Sequence, residues 1–348
     1  MRCFHLIHGL CTSSRVLSVA AGALATLASL AAPSCAAVVS FGTGSNQFNM
    51  TFVTIGNAGN AADTTGDPIP AGAVGYTYGI AKFEVSEDMI TKYNADFGTA
   101  NNLVITKDTR GTNKPATSVS WNEAARFVNW LNTSTGNQAA YKFTTSGVND
   151  DIALWASGDA GFDASNPYRN SLAKYVLPSY NEWYKAAYFK PDSPTSTSGT
   201  YYDFANGSNT APTAVASGTA DNTAVYLGQY DPADVNQAGG LSPYGVIGLG
   251  GNVWEWEESS FNVSSGNYNS SGSSSRGVRG GSWNDFSDDL SSSARYLDVY
   301  PSFEDLLLGF RVVSLSSSAP PAVPEPSMMV IGTLFGIGGL MAKRRMKK

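Results

Sequence analysis

Gly250-Gly251-Asn252-Val253-Trp254-Glu255-Trp256, Arg279-Gly280-Gly281-Ser282-Trp283 and Gly309-Phe310-Arg311-Val312-Val313 are the three stretches whose reading decides the fold. Each sets glycine beside bulky aromatic or aliphatic residues and one charge. Glycine alone adopts positive φ readily and permits close backbone approach, so Gly250, Gly251, Gly280 and Gly281 predict tight, crowded turns. Trp254, Trp256 and Trp283 are large enough to dominate a core. Arg279, Arg295 and Arg311, set among apolar residues, predict buried pairs with carboxylates such as Glu255.

Working outward, two helices carry their own start signals. Ser120 precedes Trp121 to Leu131, with Glu123 in place for a capping box and Ala124, Phe127, Val128 and Leu131 on one face. Ser179 and Glu182 repeat the device before Trp183-Tyr184-Lys185-Ala186-Ala187. A third helix is predicted after Ser86, burying Met89, Ile90, Tyr93 and Phe97. Residues 38–80 alternate apolar positions (Phe48, Met50, Phe52) within Gly/Asn/Thr-rich sequence, which predicts strands joined by loops. Residues 191–240 and 261–277 lack periodicity and are expected to be surface loops. The sum is a single α+β domain with little regular secondary structure and an aromatic core.

The two ends read differently from the middle. Arg2 and Arg15 flank a short charged region, Val16 to Ala32 is an apolar run, and Ser34-Cys35-Ala36-Ala37 offers a cleavage context, so residues 1–37 are expected to be a signal peptide. All three cysteines (Cys3, Cys11, Cys35) and both histidines (His5, His8) fall inside it. The remaining chain is therefore expected to lack disulfides, Cys/His zinc sites, a facial-triad iron site and any cysteine or histidine nucleophile or base. Between residues 38 and 322 there are 15 lysines and arginines against 27 aspartates and glutamates, a balance of −12. Such a surface repels phosphate backbones, so no nucleic-acid partner is expected.

After a Ser/Pro-rich linker over 315–326 that ends in Pro324-Glu325-Pro326, the segment 327–348 holds an uncharged run, Met328 to Ala342, and then Lys343-Arg344-Arg345-Met346-Lys347-Lys348. The run is short for an untilted membrane span, and the basic cluster is a stop signal that stays cytoplasmic. This order resembles the PEP-CTERM sorting tail. That resemblance implies processing by an exosortase, anchoring in the inner membrane in transit, and delivery to the cell surface or exopolysaccharide matrix of a Gram-negative bacterium.

Five segments in order resemble the formylglycine-generating enzyme (sulfatase-modifying factor) family across residues 76–314. They are Ile80 to Ser86; Pro115 to Trp121; Leu177 to Trp183; Tyr244 to Trp256; and Arg279 to Trp283 with Ala294-Arg295 and Gly309 to Val313. The resemblance implies a C-type-lectin-related fold over residues 38–314, with a shallow surface cleft. It also implies two copper-binding cysteines just after the Arg-Gly-Gly-Ser-Trp segment, and this chain has Asp285 and Leu290 there. Cu(I) prefers sulfur ligands, so neither copper nor iron is expected and no catalytic residue is assigned. Family calcium sites map onto Gly251, Val253 and Glu255, which makes Ca²⁺ a candidate cofactor.

The resemblance thus points to a binding module for carbohydrate or a surface protein, with loops 191–240, 261–277 and 284–305 as its face. Trp256, Ser282, Trp283, Asp285, Phe286, Tyr296 and Tyr300 are the candidate contacts. Two alternatives stand beside it: a divergent oxidoreductase using a nonheme metal, and a structural matrix component. Asp285, Asp288 and Asp289, with Glu257 and Glu258, read as solvated acidic loops rather than a hydrolytic pair.

Overall fold

Two capping boxes set the longest helices. Ser120 Oγ accepts from the Glu123 amide at 3.1 Å and Glu123 accepts from the Ser120 amide at 2.9 Å, starting α2 (Trp121–Thr133). Ser179 and Glu182 make the same exchange, at 3.3 and 2.6 Å, at the start of α3 (Tyr180–Tyr188). The helix expected after Ser86 is α1 (Glu87–Tyr93), which runs on as a π turn over Asn94–Gly98.

The structure is a computed structural model describing residues 36–65, 70–260 and 271–315. Most of the expected signal peptide, the Pro324-Glu325-Pro326 motif and the basic tail lie outside the described residues. Among the described residues no helix is long and apolar enough to cross a membrane.

Strands β1 (Ala37–Phe41), β2 (Phe48–Ile55) and β3 (Tyr78–Ala81) form an antiparallel meander. Short pairs follow: β4 (Tyr175–Val176) joins the first sheet, β5 (Phe189–Pro191) meets β6 (Gly199–Tyr201), and β7 (Thr213–Ala214) runs parallel to β8 (Thr223–Ala224). The motif segments then build β9 (Trp254–Ser260), β10 (Arg276–Arg279), β11 (Tyr296–Val299), β12 (Leu308–Gly309) and β13 (Val313–Leu315). One sheet has the order β1-β2-β3-β13-β4 and the other β11-β10-β9-β12. The last strand therefore returns between β3 and β4, next to the beginning of the domain. This is the expected α+β architecture with little regular structure.

Two expectations are corrected. Arg276 and Gly277 belong to β10 rather than to a surface loop. Glu257 and Glu258 are fully buried in β9, not solvated. Every residue of β9 is buried, so its two faces are both covered and consecutive charges must find partners inside.

The core is aromatic. Phe127 on α2 meets Phe48, Tyr93 and Phe310 with ring centroids 5.7–6.3 Å apart, joining β2, α1 and the Gly309-to-Val313 motif. Trp121, Trp183 and Trp256 are wholly buried, and Trp254 and Trp283 nearly so. Gly251 shows why its motif carries glycine. Its φ is +81°, and a Cβ there would lie 2.3 Å from the Val225 carbonyl oxygen.

Candidate functional site

Three motif segments meet at Glu255. Arg311 donates from Nε to Glu255 Oε2 at 2.5 Å and from Nη2 to Glu255 Oε1, while Trp183 Nε1 donates to Oε2 at 2.8 Å. The guanidinium is completed by the carbonyls of Ala81 at 2.9 Å and Ile247 at 3.0 Å. Both charges are fully buried. Glu255 is thus engaged on both oxygens by a cation already present in the chain. Ca²⁺ needs six to eight oxygen ligands, and the trio Gly251, Val253 and Glu255 has its one carboxylate committed to Arg311, so it does not suit that ion. Among the described residues no three His, Cys, Asp or Glu side chains converge as a metal-binding group.

The two positions that the resemblance gives to cysteine have structural work. Asp285 Oδ2 accepts from Trp254 Nε1 at 2.8 Å, from the Ser282 amide at 2.9 Å and from Ser282 Oγ at 2.5 Å. It closes the turn after Trp283 and ties it to β9. Leu290 is 1% exposed and packs in a small cluster with Ala224 and Tyr226. A carboxylate holding three donors and a buried aliphatic side chain offer nothing to a soft metal or a thiol.

The expected ligand contacts separate into two groups. Trp256, Ser282 and Trp283 are interior: the core reading of the two tryptophans holds, and the assignment of all three as ligand contacts is corrected. Trp256 donates to the Val119 carbonyl, Ser282 is wholly buried, and Trp283 lies under Arg110, whose guanidinium sits 4.8 Å from its ring. Phe286 and Tyr300 are exposed, each at 68%. Tyr296 lies in β11, and its side chain lies outside the described residues. Sequence reasoning missed Leu227, Tyr230 and Leu306, which are also exposed. Backbone bonds from Leu227 to Asp285 and from Gln229 to Trp283 set the 226–230 loop beside the Phe286 turn. Arg110 pairs with Asp231 at 3.3 Å and donates to the Leu306 carbonyl at 3.4 Å, which draws the third loop in. No periodicity links these three loops, so only the folded chain brings their apolar residues to one face.

Glu257 and Glu258 lie where the pairing of β9 with β10 shifts register, and each is taken up by a different arginine, so they are not set as a pair for one substrate. Glu257 meets Arg279 at 3.3 Å with both side chains fully buried. Arg279 also lies over Tyr180 and Tyr184, at 4.8 and 5.1 Å. Burial pushes the Glu257 carboxyl above its ordinary range, against the pull of Arg279 and Arg295. Glu258 accepts from Tyr141 and Asn166, both at 2.7 Å, and pairs with Arg169 at 3.4 Å.

Comparison with known proteins agrees with this framework. A domain described as sulfatase-modifying factor enzyme 1-like matches residues 38–315. The fold is similar to that of variable protein 1 of Treponema denticola, with a TM-score of 0.53 and 20% identity over 80% of this chain and 98% of that one. It is equally similar to CarF, with a TM-score of 0.52 and 20% identity over 76% and 98%. No curated protein matches the chain. With its framework glycines, its tryptophan core and its Glu255–Arg311 pair in place over the whole matched span, the chain belongs to the sulfatase-modifying factor enzyme 1-like domain family.

Proposed function

We propose that this chain is a non-catalytic binding module, exported and presented at the cell surface, which holds a carbohydrate or protein ligand on the loops around Trp283. The observation that carries this reading is the employment of Asp285 and Leu290. Both family cysteine positions are occupied by residues the fold needs, one as a three-donor acceptor and one as core. The framework survives for its own stability while the chemistry is gone, as happens when one scaffold serves several functions.

The face suits recognition. Leu227, Tyr230, Phe286 and Leu306 are exposed on these three loops and Tyr300 is exposed at the end of β11, and aromatic side chains are favoured anchors in binding sites. The leader and the Pro324-Glu325-Pro326 tail support export, exosortase processing, transit through the inner membrane, and residence at the surface or in the matrix.

The test is an array of glycans and surface proteins probed with the purified full chain and with Phe286→Ala/Tyr300→Ala. The double variant is expected to weaken a hit by about tenfold or more, since hot-spot truncations cost about 1–2 kcal/mol each. No hit at high micromolar concentration would favour the structural matrix reading. Turnover on a cysteine peptide with stoichiometric metal would sink the binding-module reading.

Within this proposal Arg311 takes the place of calcium at the Gly251-to-Glu255 turn. The thermal midpoint is therefore expected to be the same in EDTA and in millimolar Ca²⁺. A calcium-dependent rise, which mass action makes several kcal/mol for a tight site, would contradict it.

A further inference from the structure

Arg169 lies away from the Phe286 face and gathers residues from four segments. Its Nη2 donates to Glu182 Oε1 at 3.1 Å and to Tyr76 Oη at 3.2 Å, its Nη1 to Glu182 Oε2 at 3.3 Å, and its Nε faces Glu258 Oε1 at 3.4 Å. Tyr76 in turn donates to Glu182 Oε1 at 2.6 Å. Above this cluster opens a cleft of about 750 Å³ between the approach to β3, the 163–174 loop and the start of α3. Its size falls within the roughly 300–1,000 Å³ of small-molecule sites.

We infer that this cleft is a second binding site, and that its ligand is an uncharged oligosaccharide lying across Tyr76. The tie between α3, the 163–174 loop and β9 accounts for Arg169, Glu182 and Glu258 as structure alone. It does not account for Tyr76, whose hydroxyl is clamped while 43% of the residue stays exposed at the cleft. A tyrosine held by its oxygen presents an immobile apolar ring at little entropic cost, which suits the C–H face of a sugar.

The remaining lining selects charge. Arg169 is the floor's cation, and two buried carboxylates already balance it. Asp163 and Lys174 add one charge of each sign. An anionic ligand would find Arg169 already compensated and Lys174 as its one further cation among the described lining residues, so a multiply charged ligand would bury charge without a partner, which is costly. Hydroxyls and amides of Ser165, Ser171, Ser179, Asn137 and Asn181 supply the donors and acceptors that sugar hydroxyls need.

This inference is independent of the Phe286 face, and the same variants separate the two. The purified full chain is titrated calorimetrically with neutral cello- and dextran-type hexasaccharides and with an oligogalacturonate. Binding of at least one neutral hexasaccharide is expected, weakened about tenfold or more by Tyr76→Ala and by Leu172→Trp, and unchanged by Phe286→Ala/Tyr300→Ala. Leu172 is 61% exposed, so filling the cleft from there spares the core if Tyr76→Ala fails to fold. Binding of the oligogalacturonate alone would overturn the inference. So would no neutral binding at ~10 mM, a range in which even a weak carbohydrate contact of about −4 kcal/mol registers. Neutral binding that survives Leu172→Trp, or that disappears in the Phe286/Tyr300 variant, would overturn it as well.

Discussion

Arg311→Met is expected to lower the unfolding free energy by about 3–5 kcal/mol, because it strands the Glu255 carboxylate in a fully buried site. The loss goes beyond one ion pair. Arg311 reaches Ala81 of β3 and Glu255 of β9, so one guanidinium connects the two large sheets, and its contact with Ile247 fixes the turn before the Gly250-Gly251 pair. Lysine would not substitute. A single ammonium cannot satisfy Glu255 and two carbonyls from one planar fork, so Arg311→Lys is expected to lose most of the same stability. The double variant Arg311→Met/Glu255→Gln should be less damaged than Arg311→Met, since it removes the stranded charge. Urea unfolding followed by tryptophan fluorescence checks this. A shift of under ~1 kcal/mol for Arg311→Met would show that the pair is not what joins the sheets.

On the binding-module proposal, that junction is how a family framework outlasts its chemistry. The residues that join the sheets, Glu255, Arg311 and Trp183, make these contacts with one another and with backbone carbonyls, not with Asp285 or Leu290. Asp285 staples the turn that carries Trp283, and Leu290 is part of the core. A cysteine at either place would remove a contact the fold uses. Phe286, beside Asp285, is mostly solvent-exposed, so on the same proposal it is free to change with the ligand.

How much of this was legible in the sequence follows the range of the interaction. The capping boxes at Ser120 and Ser179 close over three residues, so reading neighbours found both helices. Gly251 needed positive φ, and its tryptophan neighbours needed burial; both follow from residue chemistry. Pairing an arginine with a buried glutamate was also within reach, and Glu255 with Arg311 is such a pair, 56 residues apart. Glu257 and Glu258 were read as solvated because adjacent acids normally are. Their burial depends on β9 being enclosed along its whole length, with Arg279 meeting Glu257 and Arg169 meeting Glu258. Trp283 reads both as core and as a ligand contact from its neighbours, because nothing local reveals Arg110 lying over it. The Arg169 cleft draws on residues near 76, 169, 182 and 258, and no spacing rule connects them.

The domain is expected to be more stable at pH 5 than at pH 7.5, because burial favours the protonated form of several carboxyls in the folded state. Glu84 is the clearest. Burial raises its carboxyl to about 7, opposed by Arg311 and reinforced by Glu255, while Asn252 donates to Oε1 at 2.9 Å and Oε2 has no partner. Burial raises Glu123 to about 7 as well, and pushes Glu257 and Glu258 upward. A carboxyl whose folded pKa lies above its unfolded value stabilises fully below the unfolded value, near 4.5, and loses that contribution as pH rises through the folded one. The window is therefore pH 4.5 to 7. Groups shifted the other way act outside it: Asp150, Asp159 and Asp163 are lowered and lose stability only below their ordinary range. Lys185, lowered by burial to about 8, changes its contribution only at more alkaline pH. For Glu84 alone the ceiling is about 3 kcal/mol between pH 4.5 and 7, from ~1.4 kcal/mol per pH unit of displacement. Glu84→Gln keeps an acceptor for Asn252 and cannot ionise, so it should flatten the fall in urea midpoint across that window while leaving the midpoint at pH 5 nearly unchanged. A variant whose midpoint falls with pH as steeply as the parent would place the proton elsewhere.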